Sequence, residues 1–434
     1  MSELLSQEKL LPNGQDTSFA QITLESNGIS RSQVDVLATQ SFTTEEQVLP
    51  DPKGDVYLNG TIIPITGPGE TAAVFTQPPG VLEWHRDHTL TPCARVIEVN
   101  PGVGPQGEIG FPYGDINTRL AEEVAIKPDL IRRNGKPLKW ATTFPGESSK
   151  RAAEIIGAEL IQKSRPEVTS NKPKFREWSY ENGVTVAPGI TIHDEADLEF
   201  AVKYLSDLPY GAWMKANGSG GDLVQRIKHV SLEALQQGRT NLLTEIQKAF
   251  NAGTFSREAQ NAYMQQGAYA PVDGFAIEAD VRNYGTPIAN CSNLVNVSHT
   301  GRIEVMGIYG QMTSPEGAYI GSRTLTDLPD VQAFLKRTGM SEVDLLHTIQ
   351  EQSIRAAAYQ MEHKHFGLHG QDFFLIERDD DVLMVPEIEL NGRPPISGIG
   401  EIMKRRAGVG HFINTNIWAP HILNTMDEIR KTLT

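Results

Sequence analysis

Four residues near the C-terminus have types and spacing that could do chemistry. Asp372 precedes the apolar run FFLIE, and Glu389, Asn391 and Arg393 lie at the end of the run VLMVPEIEL. Two carboxylates and an amide oxygen make a hard but incomplete oxygen site, which suits Mg²⁺ because that ion takes further ligands from water and phosphates. Arg393 suits a phosphate or a carboxylate. The set therefore predicts a magnesium site that faces an anionic substrate.

The two apolar runs must form a hairpin for these residues to meet. A turn centred between Asp380 and Asp381 pairs Asp372 with Glu389. Directly opposed residues have Cβ atoms roughly 5 Å apart, and two carboxylates at that distance repel each other unless a cation lies between them. The alternative is an ordinary hairpin with solvated acidic residues, and Pro386 counts against a central strand because it cannot donate to the ladder.

Strand and helix patterns upstream predict the elements that position this site. The β-branched run GVTVAPGITI and the runs GAWMKANG and GFAIEADV read as strands. Asp194 is a cap candidate for a helix with Leu198, Ala201 and Leu205 on one face. Ser341 and Asp344 form a capping-box pattern for a helix that runs to about residue 360. Residues 231–250 read as a helix with a break at residue 238.

Bulk composition limits the class of protein. The chain has 434 residues, 39% of them hydrophobic and 21% charged, which fits two or three packed globular units. A net charge of −15 argues against nucleic acid as a partner, because phosphate backbones require a basic surface. Neither a signal peptide nor an apolar stretch of roughly 20 residues occurs, so we expect a cytoplasmic protein without a membrane partner. Cys93 and Cys291 imply no disulfide framework.

Composition and the pattern of predicted strands and helices divide the chain into three parts. Residues 1–50 read as a polar N-terminal arm, residues 51–168 as an N-terminal domain, and residues 169–434 as the unit that carries the site. Ordered structure is expected to begin near Asp55. Asn59 and Gly60 lie between two apolar segments, a pattern that predicts a type I′ hairpin.

At this point the sequence resembles a known family. Asp372 followed by the E-x-N-x-R pattern of Glu389, Asn391 and Arg393 is similar to the metal-binding end of ATP-grasp enzymes. Further motifs fall in the family's order: Asn171-Lys172 before a helix, the segment WMKANGSGGDLV, and the strand GFAIEADV. The resemblance covers about residues 150–415. It implies an α+β ATP-grasp fold, in which two subdomains clasp ATP, preceded by an N-terminal α/β domain.

The resemblance also implies roles for individual residues. Lys215 would bind the α- and β-phosphates and assist the reaction, and Lys172 would help, although Lys174 competes for that role. Glu278 would lie at the hinge that holds adenine or ribose, with Asp280 as the alternative. The loop that closes over the phosphates would consist of Asn217, Gly218, Ser219, Gly220 and Gly221. The metal ligands would be Asp372, Glu389 and Asn391, with Mg²⁺ as the ion and Mn²⁺ as the alternative.

Most members of the family resemble one another in activating a carboxylate. The implied reaction is an ADP-forming ligation in which a carboxylate takes the γ-phosphate and an amine then displaces phosphate, with Arg393 near the transferred group. The segment 277–311 is similar to peptide ligases of bacterial secondary metabolism, which implies amino-acid-like substrates. Gln311 and Arg323 are candidates for substrate contact or for a structural role. A homodimer is the family-level expectation.

Other functions remain open on sequence alone. A small-molecule kinase would use the same nucleotide residues, and a catalytically silent nucleotide-binding module would keep them without turnover. The motif His85-x-Asp87, with His88 following, fits the two-histidine-one-carboxylate set of non-haem iron oxygenases, or else a polar loop whose imidazoles bond to carboxylates.

A second histidine-rich segment lies before the hairpin. It contains His363, Lys364, His365 and His369, which could hold zinc or could place cations at a helix end. We expect the helix-end arrangement.

Overall fold

The computed structural model describes three sheets and the helices that cover them. The described residues are 18–39, 59–76, 80–88, 94–99, 115–131, 135–143, 145, 147–162, 172–216, 224–251, 275–313, 319–378, 381–391, 396–407 and 413–415.

The N-terminal unit is a parallel sheet of five strands in the order β3-β2-β1-β4-β5. Its strands are β1 (Asp35–Thr39), β2 (Thr71–Phe75), β3 (Arg95–Val99), β4 (Leu138–Thr142) and β5 (Glu159–Leu160). Its helices are α1 (Phe19–Ser26), α2 (Val81–His88), α3 (Asp115–Ala125), α4 (Pro128–Ile131) and α5 (Glu147–Ile156). Parallel strands joined by helices define an α/β unit, as the sequence predicts for this part of the chain.

Two local expectations in this unit differ from the structure. Within the expected polar arm, residues 18–39 form α1 and the central strand β1, and Phe19 and Leu37 are fully buried. The predicted hairpin at Asn59-Gly60 is wrong, because Asn59–Ile65 form a 3-10 helix. Ile62 and Ile63 pack into the core, and Pro64 cannot donate to a strand ladder, so the apolar run coils inward instead of pairing.

The second unit is a small antiparallel sheet in the order β6-β9-β7-β8. Its strands are β6 (Gly189–Ile192), β7 (Ala212–Ala216), β8 (Val224–Ile227) and β9 (Phe275–Ala279). Its helices are α6 (Lys172–Glu181), α7 (Glu195–Leu205) and α8 (Leu232–Asn251). The capping box of Asp194 with Asp197 confirms the predicted start of α7. Helix α8 continues through Gly238, so the expected break is wrong. The glycine instead serves packing, because its missing Cβ lets the helix approach Ile227 of β8 closely.

The third unit is a large antiparallel sheet in the order β14-β13-β10-β11-β12-β15. Its strands are β10 (Thr286–Val297), β11 (Ile303–Thr313), β12 (Tyr319–Thr324), β13 (Gly367–Arg378), β14 (Asp381–Asn391) and β15 (Ile413–Thr415). Its helices are α9 (Pro329–Thr338), α10 (Glu342–Glu362) and α11 (Ile396–Ala407). Ser341 accepts a hydrogen bond from the backbone of Asp344, which confirms the predicted start of α10.

The large sheet is covered on both faces. Helices α9 and α10 pack on one face around Cys291 and Phe373. The N-terminal unit and α11 pack on the other face around Leu294 and Tyr309. Within the described residues, no helix is both long enough and apolar enough to cross a membrane.

Candidate active site

A cavity of about 210 Å³ lies between the small and the large sheet. Trp213, Lys215 and Glu278 of the small sheet form one wall, and Pro287 and Phe374 of the large sheet form another. Residues 279–282, which link β9 to the strand β10, close the side between them. This volume is below the roughly 300–1,000 Å³ of a site that encloses a whole drug-sized ligand, so it suits one flat ring system of a larger ligand.

The wall formed by the small sheet carries a buried carboxylate between two cations. Glu278 is 3% exposed, and its Oε2 lies 3.0 Å from Nζ of Lys215. Nη1 of Arg176 donates to Oε1 of Glu278 at 2.8 Å and to the carbonyl oxygen of Ala187 at 2.7 Å. Sequence reasoning missed Arg176. The available signal was its position four residues after Lys172, which puts both residues on the same side of a helix.

Asp280 is engaged by three neighbours at the link between the sheets. Arg282 donates to both carboxylate oxygens, at 2.7 and 2.5 Å, and Nε1 of Trp213 donates to Oδ2 at 3.0 Å. Arg226 lies 3.9 Å away. Burial alone would raise the pKa of Asp280, but the hydrogen bonds from Arg282 and Trp213 outweigh burial and hold the pKa below its usual value. Asp280 is therefore ionised, and its hydrogen bonds hold Arg282 and Trp213 in place in the cavity wall.

The hairpin of β13 and β14 brings the predicted metal positions together. Asp372 pairs with Glu389 on the ladder, as predicted, and Gly370 pairs with Asn391. The turn itself lies one residue earlier than expected, since Arg378 pairs with Asp381. The side chains of Glu389 and Asn391 lie outside the described residues.

An irregularity in β14 restores the predicted pairing. Phe373 pairs with Pro386, whereas Asp372 pairs with Glu389, so two residues of β14 have no counterpart on β13 between these pairs. Pro386 lacks an N–H and interrupts the ladder at this point, which is where bulges are tolerated. Pro386 thus marks the bulge next to the site and does not exclude a strand.

Asp372 is held by a side chain from a strand two places away. Nε2 of Gln311 on β11 donates to Oδ1 of Asp372 at 3.0 Å, across the intervening β10. Phe374 of the cavity wall is two residues from Asp372 on the same strand, so both lie on one face roughly 7 Å apart. The cavity wall and the predicted metal position Asp372 therefore lie next to each other on one face of β13.

The structure does not bring Arg323 to this face. Arg323 pairs with Gly310 and Ser322 pairs with Gln311, so Arg323 lies on the face opposite to Gln311 and Asp372. Nε of Arg323 is buried and has no hydrogen-bond partner among the described residues. The structure therefore separates the two residues that the sequence suggests for substrate contact.

The first lysine of the predicted site begins helix α6. Lys172 is 5% exposed, whereas Lys174 is exposed on the other side of the helix. Between the two candidates, the structure favours Lys172 as the inward residue. The predicted phosphate loop, Asn217 to Gly221, and Arg393 lie outside the described residues.

The alternative iron site falls on a helix. His85 and Asp87 belong to the helix α2 and not to a polar loop, and the side chain of Asp87 lies outside the described residues. Burial lowers the pKa of His85 to about 4, so its imidazole is neutral. Among the side chains that the structure describes, which do not include those of Asp87 and His88, no three His, Cys, Asp or Glu are grouped to hold a metal.

The second histidine segment divides into two parts. His363 lies at the C-terminal end of α10, with its Nδ1 2.8 Å from the carbonyl oxygen of Tyr359, as the helix-end interpretation predicts, whereas His365 and His369 are buried. His365 and His369 are 2% and 0% exposed, and their rings lie 4.8 Å apart. Burial first, and the neighbouring His365 second, hold the pKa of His369 well below its usual range. His369 is therefore neutral, and the helix-dipole interpretation is wrong for it because buried imidazoles lose their charge.

The arrangement fits an ATP and Mg²⁺ site on its own chemistry. The cavity offers flat apolar walls in Trp213 and Phe374, and Lys215 lines it beside Glu278. Asp372 and its ladder partner Glu389 put two acidic positions on one face, which is the oxygen-rich donor set that Mg²⁺ requires.

A small antiparallel sheet facing a large one across such a cavity, after an N-terminal α/β unit, is the ATP-grasp fold. The structure is similar to a biotin carboxylase from Campylobacter jejuni solved with an ATP analogue, with a TM-score of 0.50, 13% identity, and 89% of this chain and 75% of that chain covered. At a TM-score of 0.48, a Rhizobium etli pyruvate carboxylase is 14% identical over 87% of this chain and 28% of its own.

An L-amino acid ligase from Bacillus licheniformis is 15% identical, with a TM-score of 0.40, over 85% of this chain and 68% of its own. No protein-family model matches the sequence, and no curated protein matches it either. At these identities the likeness shows the fold, and function has to be argued from the site.

Proposed function

We propose that this protein is an ATP-dependent, ADP-forming ligase that joins a carboxylate to an amine through an acyl phosphate. One observation carries the proposal. The cavity is lined by Lys215 of the small sheet and by Phe374 of the large sheet, and Phe374 lies two residues from Asp372 on the same face of β13, where Asp372 pairs with Glu389. A base-sized pocket, a cation and a nearby pair of acidic positions are the groups that would bind the base, the phosphates and the metal of Mg²⁺-bound ATP.

The residues have distinct roles in this reaction. Lys215 binds the α- and β-phosphates, Lys172 assists, and the loop from Asn217 to Gly221 covers the phosphates. Asp372, Glu389 and Asn391 hold Mg²⁺, which supplies charge neutralisation on the phosphate oxygens when bound. Gln311 keeps the carboxylate of Asp372 in place by its hydrogen bond, a role that replaces substrate contact for this residue.

The chemistry requires positioning and positive charge more than covalent help. A carboxylate oxygen of the substrate attacks the γ-phosphorus, the bond to the β-phosphate oxygen breaks, and ADP leaves. The amine then attacks the acyl carbon, inorganic phosphate leaves, and the amine loses one proton. Arg393 and Lys215 stabilise the negative charge that develops on the transferred group.

Amino-acid or peptide-like substrates are the proposed class. This proposal rests on the resemblance of residues 277–311 to peptide ligases of bacterial secondary metabolism. The homodimer stays a prediction.

A coupled assay tests the reaction. Purified protein with ATP and Mg²⁺ is given pools of amino acids and small carboxylic acids, and ADP and phosphate are measured together. The proposal predicts that both are released only when an acid and an amine are present. ADP release with a stable phosphorylated product and no amine would instead identify a kinase, and no release with any pool would favour a silent nucleotide-binding module.

A further inference from the structure

The Glu278 carboxylate joins two cations that come from different layers of the protein. Lys215 and Glu278 lie on neighbouring strands of the small sheet, β7 and β9. Arg176 lies on α6, outside that sheet. All three side chains are largely buried, with exposed fractions of 12% for Lys215, 4% for Glu278 and 7% for Arg176.

Helix α6 is anchored on the helix layer of the large sheet. The rings of Phe175 and Trp178 each lie 5.3 Å from the ring of Tyr359 in α10, and Nε1 of Trp178 donates to Glu362 at 2.7 Å. Arg176 sits between these two aromatic residues in sequence and projects to Glu278 and the carbonyl of Ala187. Its guanidinium is therefore fixed by packing that does not depend on the occupant of the cavity.

This geometry determines what happens to Glu278 when Lys215 turns towards an anion. A buried carboxylate that loses its cation is strongly destabilised. Arg176 contacts Oε1 and Lys215 contacts Oε2, so the two cations use different oxygens and one can leave while the other stays. With Arg176 in place, Glu278 remains paired after Lys215 moves. Without Arg176, the approach of Lys215 to a phosphate would leave Glu278 without these two cations.

We propose that Arg176 is a positioning residue that neutralises Glu278 and thereby releases the Lys215 ammonium for the phosphates of the bound nucleotide. The proposal rests on the proposed function, because it takes an ATP phosphate as the anion that Lys215 meets. It assigns Arg176 no contact with the nucleotide. Its effect passes through Glu278, so removing the charge of Glu278 must remove the need for Arg176.

Nucleotide binding to four variants tests this dependence. Arg176→Met, Arg176→Lys, Glu278→Gln and the double variant Arg176→Met/Glu278→Gln are titrated with ADP by calorimetry, and thermal unfolding is recorded for each. Arg176→Met is expected to weaken ADP binding about ten-fold or more, and the double variant is expected to bind within about three-fold of Glu278→Gln. Arg176→Lys keeps the positive charge and so does not leave the buried Glu278 uncompensated, and it is expected to stay within about three-fold of the wild type.

The matched control is Arg302→Met, which removes an exposed arginine paired with Glu304 at the far end of β11. It should leave ADP binding unchanged. The inference is overturned if Arg176→Met binds ADP like the wild type, or if Glu278→Gln fails to restore binding in the double variant while both proteins remain folded. A wild-type protein that binds no ADP would overturn the proposed function itself, so the two failures are distinguishable.

Discussion

Gln311 donates a hydrogen bond from Nε2 to Oδ1 of Asp372 at 3.0 Å. The bond crosses a whole strand, because β10 lies between the strands that carry the two residues. It holds one oxygen of the carboxylate in a fixed position. Groups that orient a metal ligand in this way often matter nearly as much as the ligand.

We therefore expect Gln311→Ala to weaken the response to Mg²⁺. Its apparent affinity for Mg²⁺, measured by titrating the metal at fixed ATP, should fall by about ten-fold or more. The control is Gln332→Ala, which changes an exposed glutamine on α9. An unchanged Mg²⁺ titration for Gln311→Ala would separate Gln311 from the metal site.

Lys215→Met should reduce nucleotide binding more than it reduces stability. The wall of the cavity loses its ammonium, whereas Glu278 keeps its hydrogen bond from Arg176. A hydrogen bond to a charged group contributes about 1.5–3 kcal/mol, so ADP affinity should fall by roughly 10- to 150-fold. Lys336→Met, at an exposed position of α9, is the comparison. Equal ADP affinity in Lys215→Met and Lys336→Met would contradict the role of Lys215.

The ionisation of Asp280 should affect how the free energy of unfolding depends on pH in acidic solution. Its pKa is lowered in the folded protein, because the hydrogen bonds from Arg282 and Trp213 outweigh the opposing effect of burial. A lowered folded-state pKa contributes stability that is present above the unfolded pKa of about 3.9 and is lost as the pH falls through the folded value. Asp280→Asn should therefore be less stable than the wild type at pH 7, and the difference should shrink below about pH 4.

Urea unfolding at a series of pH values measures this difference. Asp330→Asn, at an exposed position near the start of α9, should show no such trend. A gap between Asp280→Asn and the wild type that stays constant down to pH 3 would mean that the charge of Asp280 is not what stabilises the cavity wall.

His369 should make the protein less stable in mildly acidic solution. Burial and His365 lower its pKa, so below pH about 6.5 the unfolded chain binds a proton that the folded chain does not bind. The slope has the same sign as that for Asp280, because each lowered pKa lets the unfolded chain take up a proton before the folded chain does, and the free energy of unfolding should fall by up to about 1.4 kcal/mol per pH unit from this residue. His369→Leu should flatten the pH dependence of that free energy between pH 6.5 and 5. The exposed-site control His347→Leu should keep the wild-type slope, and equal slopes in all three proteins would refute the prediction.

Prediction from the sequence was most accurate for features that depend on neighbouring residues. Asp194 and Ser341 predict helix starts because their caps depend only on nearby backbone groups, and both caps are present. The pairing of Asp372 with Glu389 was also confirmed, although the turn lies one residue earlier and a bulge at Pro386 compensates. Turn position and bulge depend on ladder geometry, which periodicity does not encode.

Long-range contacts escaped the sequence because they depend on tertiary packing. Arg176 meets Glu278 across 102 positions of the chain, and although the spacing from Lys172 puts Arg176 on the inward side of α6, no local pattern predicts Glu278 as its partner. The polar composition of the N-terminus likewise concealed α1, which contacts both the parallel sheet and the large sheet, and β1, which lies between β2 and β4. His369 was misread for the same reason, since its charge state follows from burial that only the folded structure supplies.

Binding of a non-hydrolysable ATP analogue with and without Mg²⁺ tests the central claim most directly. The double variant Asp372→Asn/Glu389→Gln is compared with the wild type by calorimetric titration under both conditions. We predict that Mg²⁺ strengthens binding of the analogue to the wild type, and that the double variant loses this enhancement while it still binds the analogue weakly without metal. An enhancement by Mg²⁺ that is equal in the two proteins, or a wild type that does not bind the analogue, would contradict the account.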